Sequence, residues 1–219
     1  MLPTSIRLRA MLRRLIRWLR SHLAKGDGEL SISRADLERR LGRLEEEAER
    51  ADAGFRGLPL NRAGDLCTRA GEKERALHYL GLAIDAYLEE EQPEAARAIA
   101  KRLIRLHPRA VRTLCTITWL DLAGGYLGDA LLHLGEYVEA ARRSGREELC
   151  RDQILEMARV IEDEQFRLTA AEGLSDLEFP DDAERIRGWV DGEDTPPAVE
   201  DSGELRTVCY RAAVNAGPG

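Results

Sequence analysis

Aromatic residues make up only 5 % of this 219-residue chain, and β-branched residues nowhere alternate with polar ones over the length of a strand. A half-buried sheet needs that alternation. Its absence predicts an all-α class, drawn from a sequence dominated by Leu, Ala, Arg and Glu. Cysteine is equally thin: Cys67, Cys115, Cys150 and Cys209 stand 48, 35 and 59 residues apart. Such gaps fit neither a zinc ribbon nor a redox pair. Three of the four fall in helical patterns, where cysteine serves as a small apolar residue, and the usage predicts a reducing, cytoplasmic compartment. The apolar fraction of 43 % suffices for one sizeable core with extensions.

Signatures of catalysis are missing too. No Gly-x4-Gly-Lys, Gly-x-Gly-x2-Gly, His-Glu-x2-His or Gly-x-Ser-x-Gly occurs. The histidines, His22, His78, His107 and His133, stand on separate expected helices or helix ends. A His78–His133 metal pair, with Glu74 and Glu136 one helical turn away, is conceivable if their helices stack. Glu-rich helices produce such spacings by chance, so no metal or other cofactor is expected. Acid runs such as Glu45-Glu46-Glu47 and Glu89-Glu90-Glu91 read as solvated helix faces rather than acid–base pairs. The expectation is a protein that is not an enzyme.

Acidic residues are absent from the first 25 positions, where six Arg and Lys25 give a local charge of +7. The whole chain carries −7, so the remainder holds −14. That balance argues against a nucleic-acid partner, whose phosphates need clustered cations. Residues 4–24 predict a basic amphipathic helix: Leu8, Met11, Leu12, Leu15, Leu19 and Leu23 line one face, and Arg9, Arg13, Arg17 and Arg20 the other. It has too few apolar residues to span a bilayer and no uninterrupted run for a secretory signal. A helix lying on an anionic membrane surface, an organelle transit segment, and a helix packing its Leu face on its own body or another copy all stay open.

After a Lys25-Gly26-Asp27-Gly28 break, Ser33 followed by Asp36 reads as a helix cap. Leu37, Leu41, Leu44, Ala48 and Ala51 then form a heptad-like seam for an intramolecular partner. Three helices are expected between Asn61 and Pro108, and further ones at about 109–123, 126–144, 146–162, 164–175 and 181–190. The stretch 113–135 is the most apolar; Asp121, Asp129 and Gly124-Gly125 mark it as a buried hairpin rather than a membrane span. From Asp191 to Glu204 the chain is rich in acid, Gly and Pro, a flexible linker by composition, and a short apolar segment follows. The organisation expected is 1–25, basic helix; 26–56, linker and heptad-like helix; 57–190, helical stack; 191–219, acidic linker and tail.

Within the stack, Leu60, Ala63, Gly64 and Cys67 fall on one stripe, and Ala76, Leu80 and Ala83 on the next. The spacing follows the 34-residue template W-x2-L-G-x2-Y…A-x3-F…P. A second register runs through Leu80, Ala83, Tyr87, Ala96, Ala100 and Pro108; Ala130 lies 34 residues beyond Ala96, with Leu134 four further on. On these residues the segment 57–144 resembles the tetratricopeptide repeat family. The resemblance implies a short α-solenoid of antiparallel helix hairpins and a scaffold or adaptor role in protein–protein interaction. It also implies ligand-facing places on the first helix of each pair, here Asn61, Asp65, Arg69, Asp85, Glu89, Arg112 and Trp119. Asp65 and Asp85 put negative charge where the family's clamp holds a carboxylate. The same acids, with Glu89, offer the basic helix 4–24 a groove in which to dock.

Overall fold

The computed structural model describes residues 32–51 and 55–197; the basic helix expected at 4–24 and the tail beyond 197 lie outside them. Those described residues form helices and no strand. In chain order they are α1 (Arg34–Arg50), α2 (Gly57–Arg69), α3 (Lys73–Glu89), α4 (Pro93–Leu106), α5 (Val111–Ala123), α6 (Leu127–Ser144), α7 (Glu147–Val160), α8 (Glu164–Asp176) and α9 (Pro180–Asp191).

Local chemistry accounts for their ends. The Ser33 hydroxyl caps α1 by accepting from the Asp36 amide at 3.1 Å, and the Asp163 carboxylate caps α8 through the Phe166 amide at 2.8 Å. Pro93 and Pro180 open α4 and α9, where a missing amide proton costs nothing. Five junctions share one turn. A residue with positive φ (Gly71, Glu91, Gly125, Gly145 or Glu178) ends the helix, and the amide of the next residue reaches back to a carbonyl five positions earlier. This is the Schellman geometry, which satisfies carbonyls the helix would leave open. Glycine adopts it without strain, whereas Glu91 (φ 55°) and Glu178 (φ 66°) do not. Glu91→Gly and Glu178→Gly should each stabilise the protein by about 0.5–1 kcal/mol, read as a higher midpoint in urea; an unchanged or lower midpoint would contradict the strain.

Each helix packs on its successor. The α2–α3 pair is antiparallel, since Gly57 faces Tyr87 while Gly64 faces Leu80. A Cβ on Gly64 would stand 2.5 Å from Leu80 Cδ2, and Leu80 is fully buried. The small–large stripe is thus a close helix–helix approach. Ala76, Ala96, Ala100, Ala130 and Leu134 lie equally deep. Gly64→Leu, Ala96→Phe and Ala130→Phe should each overpack their interface at a cost of roughly 1–3 kcal/mol; wild-type melting temperatures for all three would refute these contacts. Helix α1 joins the same core through Leu37, Leu41 and Ala48. The residues largest in volume and fully enclosed are Trp119, Tyr137 and Phe166.

Candidate functional site

Polar side chains join helices two apart. Glu38 of α1 holds Arg75 of α3 at 2.7 Å, and Glu45 accepts from the Tyr79 hydroxyl. Asn61 and Asp65 of α2 both hold Arg102 of α4 at 2.7 Å. Asp85 of α3 holds Arg112 of α5 at 2.6 Å. Gln153 of α7 accepts from the Trp119 indole of α5 at 3.0 Å, and Asp182 of α9 holds Arg151 of α7 at 2.5 Å. Because chain neighbours touch as well, α3, α5 and α7 are each held from both sides.

This places the seven residues expected to face a ligand. Asn61, Asp65, Asp85 and Arg112 stand in pairs between alternate helices. Glu89 meets Arg56 at 3.4 Å, and Arg69 bonds the Asp65 carbonyl within its own helix at 3.3 Å. Trp119 has no exposed surface. The acids named for docking of the basic helix, Asp65, Asp85 and Glu89, are therefore already opposed by arginines of the folded body.

A buried network lies where α4, α5 and α6 meet. Asp121 is fully enclosed, accepts from Arg97 Nε at 2.5 Å and lies 2.6 Å from His133 Nδ1. Arg97 extends to Asp129 at 2.7 Å, where Lys101 also bonds at 2.7 Å, and its guanidinium stacks 4.0 Å over the Tyr126 ring. Burial opposes the Arg97 charge, but the bond to Asp121 and the nearby carboxylates outweigh it and raise its pKa. The Lys101 bond holds Asp129 below the ordinary carboxylate range. His133 is thus tied to Asp121, while His78 is exposed on α3. Among the described residues no group of three or more His, Cys, Asp or Glu is placed to hold a metal.

Cys67, Cys115 and Cys150 are buried free thiols. Burial pushes both Cys115 and Cys150 up to about 12, against a smaller opposing effect of the Tyr137 hydroxyl. At neutral pH neither offers the thiolate that nucleophilic chemistry needs.

An open cavity of about 460 Å³ lies between α3, the α4–α5 junction, the start of α5 and the turn before α7. Leu77, Gly81, Leu82, Leu103 and Val111 give it an apolar wall, and Asp85 with Arg112 forms one polar edge. Arg109, Arg146, His78 and His107 also line it. The guanidinium groups of Arg109 and Arg146 make no hydrogen bond or ion pair among the described residues, and His107 Nδ1 is buried without a partner. Sequence reading placed Asp85 and Arg112 on a ligand-facing surface, named His78 only as a conceivable metal ligand, and missed Arg109, Arg146 and His107 as site residues. A signal existed: residues 95–120 contain five Arg and one Lys with no acid, inside a body of net −14. Asp121, Asp129, Asp65, Asn61 and Asp85 take up Arg97, Lys101, Arg102 and Arg112, which leaves Arg105 and the cavity-lining Arg109 over.

No family model matches the chain, and a search of curated proteins finds no significant match. Among the described residues no helix is long and apolar enough to cross a membrane.

Proposed function

We propose that this protein is a non-catalytic interaction scaffold: a short helical solenoid, tetratricopeptide-like in spacing, that binds a segment of a protein partner in a groove between alternate helices. One observation carries the reading. The cavity is walled by α3, by α5 and by the turn leading into α7, elements that are not chain neighbours. Side-chain pairs between alternate helices hold these walls at fixed spacing. A wall assembled this way is preorganised, so a bound segment need not spend its contact energy on ordering the site. Selection of a random peptide library displayed on phage against the immobilised full chain tests it. Enrichment of sequences that compete for one site is expected; absence of any enrichment would overturn the scaffold reading.

A second reading rests on residues 1–25, whose +7 charge and Leu stripe suit an anionic membrane surface. In that case the body is a peripheral membrane adaptor. The full chain should then co-sediment with anionic liposomes, whereas a chain beginning at Gly26 should not; equal co-sedimentation would remove this role from the helix.

A further inference from the structure

The charge of the cavity lining is opposite in sign to the net charge of the body. Outside the first 25 residues the chain carries −14, yet three arginines and two histidines line this cavity against the single carboxylate of Asp85. Asp85 is spent on Arg112 at 2.6 Å. Arg109 and Arg146 present guanidinium groups that make no ion pair among the described residues, from two different helix junctions, beside an apolar wall formed by Leu77, Leu82 and Val111. Folding needs neither cation: both are exposed and join no network of the body. A volume of about 460 Å³ falls within the range of sites that take a few side chains or a small ligand.

We propose that this cavity seats an acidic peptide segment of a partner protein, with carboxylates on Arg109 and Arg146 and an aliphatic side chain against Leu77, Leu82 and Val111. The assignment rests on the scaffold reading and adds to it the chemistry of the bound segment. Planar guanidinium groups match carboxylates with paired, charge-assisted hydrogen bonds. The apolar wall supplies affinity that salt does not screen.

The test uses the full chain and a fluorescein-labelled hexapeptide, Glu-Asp-Leu-Glu-Asp-Leu, followed by anisotropy beside its amide counterpart Gln-Asn-Leu-Gln-Asn-Leu. The acidic peptide should bind more tightly than the amide one, and the difference should shrink as salt rises. Arg109→Glu and Arg146→Glu should each weaken it roughly tenfold or more, the worth of one charge-assisted bond. Arg39→Glu, on the exposed face of α1, should leave binding unchanged. Far-UV circular dichroism and melting checks that the variants fold, which is expected because neither cavity arginine has a partner to lose. Equal binding of both peptides, or acidic-peptide binding unaffected by either cavity variant, would overturn the proposal. So would tighter binding of a peptide of residues 191–205, since the occupant would then be the chain's own acidic tail. If library selection enriches non-acidic sequences while the hexapeptide fails, the acidic assignment falls and the scaffold reading stands; if both fail, both fall.

Discussion

Arg97→Leu should lower stability by about 3–5 kcal/mol, the cost of leaving a buried charge without its partner. Asp121 has no exposed surface, and Arg97 is its cationic partner from α4. Loss of the guanidinium leaves the carboxylate facing His133 across 2.6 Å and also takes one of the two cations from Asp129. Removing the acid as well, in Arg97→Leu/Asp121→Leu, should cost less than the sum of the two single changes, because no stranded charge remains. Urea denaturation of the four proteins in this cycle measures the difference. A destabilisation by Arg97→Leu below about 1 kcal/mol would mean that water reaches Asp121 and that the network is not sealed.

Trp119→Ala should cost about 3–5 kcal/mol, as expected for deleting a fully buried large aromatic side chain. The indole lies inside α5, and its nitrogen donates to Gln153 of α7 at 3.0 Å. The substitution opens a cavity and leaves Gln153 with only the Cys115 thiol as donor, so the contact between α5 and α7 loosens together with the core. Trp119→Phe should recover most of the packing while lacking the bond, which separates the two contributions. A Trp119→Ala protein with wild-type stability but impaired ligand capture would instead assign the ring to a binding surface. The depth of the residue argues for the first outcome.

Both predictions concern residues whose type is visible in the sequence and whose partners are not. Helices α5 to α9 begin and end within about two residues of the expected positions, because periodicity, prolines and the glycines that end helices act over a few residues. The small–large stripe through Ala76, Leu80, Ala96, Ala100, Ala130 and Leu134 was legible in the same way: a helix must bury its small residues where another backbone comes close. The cap at Ser33 and the seam from Leu37 to Ala48 needed only local spacing as well.

The polar pairs were of another kind. Asp65 meets Arg102, Asp85 meets Arg112 and Asp121 meets Arg97 across separations of 24 to 37 residues. Nothing local distinguishes a carboxylate that will clip two helices from one on a solvated face. In the helical pattern Asp65 and Asp85 look like exposed groove acids, and Asp121 looks like an interruption in an apolar run. Arg109 and Arg146 show the converse: they make no ion pair among the described residues, which emerges only once Asp65, Asp85, Asp121 and Asp129 are seen to hold other cations.

The sequence by itself therefore determined the helices, their ends and the stripe on which they approach. These depend on backbone geometry and on burial of apolar area, both set by residues within a few turns of one another. Tertiary structure alone decided which charges cancel and which remain free to meet a ligand. Electrostatic pairing depends on the distance between side chains on different helices, and that distance exists only after the helices have packed.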